Sequence, residues 1–179
     1  MIQREDTTVN KKTVILGIDG VPFTLLEEYR KRGLMPELDR LCGQGTLMRM
    51  RSTLPEISSV AWTGFMTGVN PAAHGIFGFM ELNPSTYDYT FPNFTSLKVR
   101  PFWEREHMRT VAINIPQTYP AMPMHGAMVS GFVALDLKKA SYPEHIYQYL
   151  AGIGYAIDVN AKLAQENPAA FFENLSISF

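Results

Sequence analysis

The chain has 179 residues, 46% of them hydrophobic and 18% charged, which is the composition of a folded protein and excludes a disordered one. Its formal net charge is -1 with Lys and Arg scattered along it, so there is no electrostatic basis for binding a nucleic acid polymer or an anionic membrane. Cys42 is the single cysteine, which excludes an intrachain disulfide; with a polar start (MIQREDTTVNKK) and no apolar run of the about 20 residues that span a bilayer, a cytoplasmic protein is expected.

After a polar tail over residues 1–12, TVILGID (13–19) is a β-branched apolar run that reads as a strand buried on both faces, as in a parallel sheet. FTLLEEYRKRGL then carries Leu25, Leu26 and Tyr29 at helical spacing, with Gly33 as its stop. MPELDRLCGQG reads as a short helix with Pro36 in its first turn. TLMRMRST (46–53) alternates apolar and polar residues, which predicts a strand. A Pro55 loop leads to SVAWTGFMTG, a helix. YDYTFPN is a short strand or extended loop, and RPFWEREHM is a helix with Pro101 in its first turn. TVAINIP repeats the buried-strand pattern, and GAMVSGFVAL is another strand. YPEHIYQYLAGIGY is a helix closed by Gly152 or Gly154, and NPAAFFENLSIS a last helix from near Asn167. Strands alternating with helices predict an α/β fold with a mainly parallel sheet and helices on both faces, residues 13–179 forming the N-terminal part of one domain.

Two features carry chemistry. In open α/β sheets ligands gather at the carboxyl ends of strands, and Asp19 stands where the first strand would end. Its carboxylate suits a divalent metal, while Asp19-Gly20 is equally a common turn pair. The second feature is STLPEISSVAWTGFMTGVNPAAHGIFGF (52–79), rich in hydroxyls and nearly free of charge. A helix beginning near Ser58 or Ser59 would offer unpaired N–H groups to an anion such as phosphate. The hydroxyl at its start is either an N-cap or, if its pKa is lowered, a nucleophile.

These residues, with VAINIPQTYPA, make the chain resemble the type I phosphodiesterase/nucleotide pyrophosphatase branch of the alkaline phosphatase superfamily, as an N-terminal portion of it. The signature Thr-Gly-x-x-Pro-x-x-His-Gly-Ile stands complete as Thr67, Gly68, Pro71, His74, Gly75 and Ile76. The resemblance implies an alkaline phosphatase-like fold and metal-dependent hydrolysis of a phosphodiester or pyrophosphate bond, with a small phosphoester as substrate and two divalent ions, Zn²⁺ or else Mn²⁺, as cofactors. It implies that Asp19 is the first metal ligand. It implies that the hydroxyl nine residues before Thr67, that of Ser58, ligates metal and attacks phosphorus to give a covalent intermediate. A phosphomonoesterase or phosphomutase of the same superfamily, or a non-catalytic α/β binding module in which Ser58 only caps a helix, are the alternatives.

Departures from the family pattern bear on these expectations. Ser58 stands where Thr is commoner, and Phe79 where nucleotide pyrophosphatases carry an Asn that touches phosphate. Cys42-Gly-Gln-Gly lacks the sulfatase pattern. None of His74, His107, His125 and His145 follows an Asp directly or at four residues, so the remaining metal ligands of the family have no counterpart here. The isolated chain is therefore expected to be an inactive N-terminal fragment. His74 is expected to be structural, Trp62 and Phe65 to lie in the core, Met108, Met122, Met124 and Met128 to serve as adaptable packing, and Tyr119 to pack a loop.

Overall fold

The computed structural model describes residues 12–105, 108–157, 167 and 169–170. The chain divides into two compact units, Met1–Met50 and Arg51–Phe179.

In the first unit, helix α1 (Phe23–Lys31) ends at Gly33, whose φ of 68° is the left-handed value that glycine adopts without a Cβ penalty. Helix α2 (Pro36–Gln44) begins with Pro at its first position, where the missing N–H costs nothing. Arg30 joins the two helices by donating from Nε and Nη2 to Asp39 Oδ1 at 3.0 and 2.7 Å. The pair lies in water, so it orients more than it stabilises. The strands expected over 13–19 and 46–53 are not formed. Residues 13–18 run irregularly, with Val14 84% and Leu16 88% exposed, and Met48 and Met50 are exposed as well. A strand needs a hydrogen-bonded neighbour, and neither segment has one among the described residues.

In the second unit, helix α3 (Ser58–Thr67) and the short α4 (Pro71–His74) are followed by an antiparallel pair, β1 (Glu81–Leu82) with β2 (Tyr89–Thr90). A 3₁₀ turn over Phe94–Ser96 and a short helix α5 (Phe102–Arg105), just after Pro101, lead into a three-stranded sheet. Its order is β3 (Thr110–Ile115), β4 (Gly126–Ser130), β5 (Ser141–Tyr142). Strand β3 runs parallel to β4, and β5 runs antiparallel. Helices α6 (Leu137–Ala140) and α7 (Glu144–Gly152) complete the unit, and Gly154 (φ 72°) follows the end of α7. The fold is thus mixed α/β with a small mixed sheet. The last expected helix, from Asn167, falls largely outside the described residues.

The register explains the core. Ala112 pairs with Met128, and Met128 with Tyr142, which puts all three in one row on one face of the sheet. Met66 of α3, Phe94 and Trp103 of α5 pack with Ala112 and Met128, and the partly buried Met124 and Tyr142 border them. Of the four methionines expected to pack, Met124 and Met128 do so, while Met108 and Met122 are 42% and 40% exposed. Strand β3 was expected to be buried on both faces. Ala112 is buried, but Val111 and Ile113 on the opposite face are 69% and 60% exposed, because no element among the described residues covers that side of β3. Replacing Met66, which is fully buried at the centre of this cluster, by alanine is expected to cost about 2–5 kcal/mol. A urea melt reads it as a lower midpoint at unchanged slope.

The link between β3 and β4 is polar and tightly bonded. Gln117, with φ of 67°, donates its N–H to Phe132 O at 3.0 Å and Nε2–H to Pro92 O at 2.5 Å. Thr118 Oγ1 donates to Ile115 O and Ser130 Oγ to Thr118 O. Tyr119, half-buried, accepts from Phe94 N–H at 2.8 Å through its carbonyl, in keeping with a loop-packing role.

Candidate functional site

Helix α3 begins at Ser58, as the sequence suggested, but its cap is not one of the hydroxyl residues. Ile57 is the N-cap, with extended φ and ψ of -120° and 137°, and no side chain caps the helix. Its carbonyl accepts from Val60 and Ala61 N–H at 3.0 and 2.9 Å. Isoleucine is among the poorest N-cap residues, so this helix start lacks the polar side chain that stability favours there. Ser58 is the first helical residue and does not serve as the cap.

The hydroxyls of the segment divide by environment. Thr63 Oγ1 donates to Ser59 O at 2.6 Å and Thr67 Oγ1 to Thr63 O at 2.7 Å, each bonding back one turn inside the buried face. Ser59 is fully buried, and its Oγ has no hydrogen-bond partner. Ser58 is half-buried and therefore reachable from solvent. At the other end, Gly68 (φ 69°) closes the helix, and Arg105 Nη2 donates to Thr67 O at 3.0 Å, a cation at the negative end of the helix dipole.

The expected core role of Trp62 and Phe65 does not hold. The buried residues of α3 are Ser59, Val60, Thr63, Met66 and Thr67, whereas Trp62 is half-buried and Phe65 is 41% exposed. Hydrophobicity argued for burial, but the helix turns its other side to the core. Ser58, Trp62 and Phe65 follow the i, i+4, i+7 spacing of one helix face, and that spacing is the signal in the sequence that marks the group.

His74 is fully buried at the end of α4. Its Nδ1 accepts from Ile76 N–H at 3.1 Å, its carbonyl accepts from Lys98 N–H at 3.1 Å, and its Nε2 is buried without a partner. Asn70 caps α4 by accepting from Ala73 N–H, and Gly75 (φ 83°) ends it. The histidine thus closes a turn, as expected of a structural residue. Burial holds its pKa below the usual imidazole value. A depressed folded pKa means that the unfolded chain takes up the proton first. Stability is therefore full above about pH 6.5 and is lost as pH falls through the lower folded value. Thermal melts between about pH 5 and 8 should show that decline, and His74→Asn, which keeps an acceptor for Ile76 N–H, should flatten it.

Asp19 lies exposed in the turn with Gly20 (φ 70°) that precedes α1. Its expected position at the end of a buried strand is corrected, since residues 12–18 before it form no strand. Asp19 belongs to the first unit and Ser58 to the second. Among the described residues, no three His, Cys, Asp or Glu side chains gather in a way that could hold a metal ion. His145 is exposed on α7, the carbonyl of His125 accepts from Thr110 N–H at 2.9 Å, and His107 lies outside the described residues.

The family model for type I phosphodiesterase / nucleotide pyrophosphatase matches residues 13–170. The chain belongs to this family. Neither a curated protein nor a solved structure matches it. Membership places it among hydrolases that are usually metal-dependent. No helix among the described residues of this family member is long and apolar enough to cross a membrane.

Proposed function

We propose that this family member hydrolyses a phosphodiester or pyrophosphate bond in a small phosphoester, with Ser58 as nucleophile. The observation that carries the proposal is that Ser58 is the accessible hydroxyl at the start of α3 and is not the helix cap, while Ser59 beside it is sealed off. In the first step Ser58 Oγ forms a bond to phosphorus as the ester oxygen leaves. In the second, water attacks the phosphoserine and frees the hydroxyl. N–H groups of the first turn, which no side chain caps, would face the non-bridging oxygens; such charge–dipole contacts contribute about 0.3–1 kcal/mol each.

Two divalent ions, Zn²⁺ or else Mn²⁺, are the cofactors this chemistry calls for, and when bound they would stabilise the charge on the attacking and leaving oxygens. Asp19 and Ser58 would each supply one oxygen. Zn²⁺ takes four ligands, and the described residues do not complete that set. Metal-assisted turnover by these residues alone is therefore expected to be slow. The test is hydrolysis of bis(4-nitrophenyl) phosphate by the intact protein with Zn²⁺ or Mn²⁺, comparing wild type with Ser58→Ala and Ser59→Ala. Equal rates for wild type and Ser58→Ala would sink the assignment.

A further inference from the structure

We infer that a cleft beside the Thr67–Ile76 turn binds a small organic monocarboxylate, with its charged end on Arg100 and Lys98 and its hydrocarbon body on Leu97, Val99 and Met122. The inference is independent of the role of Ser58.

The cleft has a volume of about 360 Å³, at the small end of ligand sites, so its occupant is small. Its floor is fixed to the core. Phe94, which lines it, is 5% exposed and belongs to the core cluster, and Leu97 packs against that cluster. Its rim is held by backbone bonds: Lys98 N–H donates to His74 O at 3.1 Å, and Glu104 N–H to Pro101 O at 3.1 Å. The stem of Lys98 lies against Gly75, where an added Cβ would come within 2.8 Å of its Cδ and 2.9 Å of its Cε. Glycine at this position therefore makes room for the lysine stem as well as for the turn. Arg105, next to Glu104, bonds Thr67 O at the C-terminal end of α3. Ser58 stands at the other end of that helix, about 14 Å away in rise, so the cleft lies apart from it.

Charge sets the class of ligand. Lys98, Arg100 and Glu104 are the charged groups that line the cleft, and none of them forms an ion pair among the described residues. Two cations and one carboxylate leave a formal charge of +1, which a single monoanion balances. A phosphate dianion would bring a second negative charge up to Glu104. The planar guanidinium of Arg100 matches the two oxygens of a carboxylate, and Lys98 adds a point charge. Leu97, Val99 and Met122 offer apolar surface beside these cations. A fully buried methylene raises affinity about fourfold, so a carboxylate with a hydrocarbon body gains over acetate.

The probes are hexanoate, acetate, hexanol and hexyl phosphate, titrated at about pH 8, where the phosphate is a dianion, into the intact protein labelled with carbon-13 at its methionine methyls. The Met122 methyl resonance, assigned by its loss in Met122→Leu, reads occupancy of this cleft and no other site. Hexanoate is expected to shift it, and to bind about tenfold tighter than acetate or hexanol and a few-fold tighter than hexyl phosphate. Arg100→Gln and Lys98→Gln should each weaken hexanoate at least about fivefold and leave hexanol unchanged. Both side chains are exposed, so both variants are expected to fold. Glu104→Gln should tighten hexyl phosphate more than hexanoate, because it removes the opposing charge. A Met122 resonance that hexanoate does not move, hexanoate and hexanol binding alike, or hexanoate affinity that survives both cation substitutions overturns the inference. Hexyl phosphate binding as tightly as hexanoate, or more so, overturns the assignment of a monocarboxylate.

Discussion

Ser58→Ala is expected to bring the slow hydrolysis of bis(4-nitrophenyl) phosphate down to the rate seen without protein, while leaving the melting temperature unchanged. The two halves of this expectation have separate causes. Loss of the attacking oxygen removes the covalent route altogether. Stability stays because Ile57, not Ser58, is the N-cap, so no capping bond is lost. Had Ser58 been the cap, the same substitution would cost about 1 kcal/mol and depress the melting temperature by several degrees. Melting temperature and rate together therefore separate a nucleophile from a cap. Ser59→Ala is the matched control. It deletes a buried oxygen that has no partner, so it should leave the rate within a few-fold and hold or raise stability by up to about 1 kcal/mol. If the two variants exchange behaviour, the nucleophile is Ser59. Asp19→Asn should weaken the response of the rate to added Zn²⁺ and leave the fold intact, since Asp19 is exposed in a turn.

The helices were legible because their signals are local. Gly33 stops α1, Pro36 opens α2, and Gly68 ends α3, each through a backbone preference that needs no distant partner. Strands were less legible for the opposite reason. Val14, Ile15, Leu16 and Ile18 have the side chains of a buried strand, but those side chains do not say which segment supplies the hydrogen bonds, and the run is exposed. In β3 the same pattern was right about the strand and wrong about burial on both faces. Helix polarity was the third limit. Statistics favour Ser at the N-cap, yet the cap is Ile57, a shift of one residue that changes the reading of Ser58. Hydrophobicity alone sends Trp62 and Phe65 to the core. Their burial is decided by which arc of α3 meets Ala112 and Met128, and Met66 occupies that arc. The Thr67–Ile76 signature was readable because a turn built on Gly68, Asn70, Pro71 and Gly75 is set by local conformation.

A large loss of stability is expected from Gly126→Ala. Gly126 opens β4 with φ of 143°, a conformation that side chains resist. A Cβ there would lie 1.8 Å from Thr110 O and 2.8 Å from Thr110 C. Both obstructing atoms are backbone, so no rotamer change relieves the overlap, and the Thr110–Gly126 rung has to open. Two rungs further along, Ala112 and Met128 form the sheet row on which Met66 packs. Opening the first rung therefore strains the contact that seats α3. A loss of about 3 kcal/mol or more is expected, read as a lower urea midpoint. Hydrolysis should fall with it, since the helix that carries Ser58 rests on that row. Gly152→Ala provides the contrast. Gly152 ends α7 without a left-handed φ, and a Cβ added there would meet nothing within 4 Å, so alanine should be neutral or stabilise by up to about 1 kcal/mol. A Gly126→Ala protein as stable as wild type would mean that β3 and β4 do not approach at Thr110, and that the parallel pair under α3 is wrongly registered.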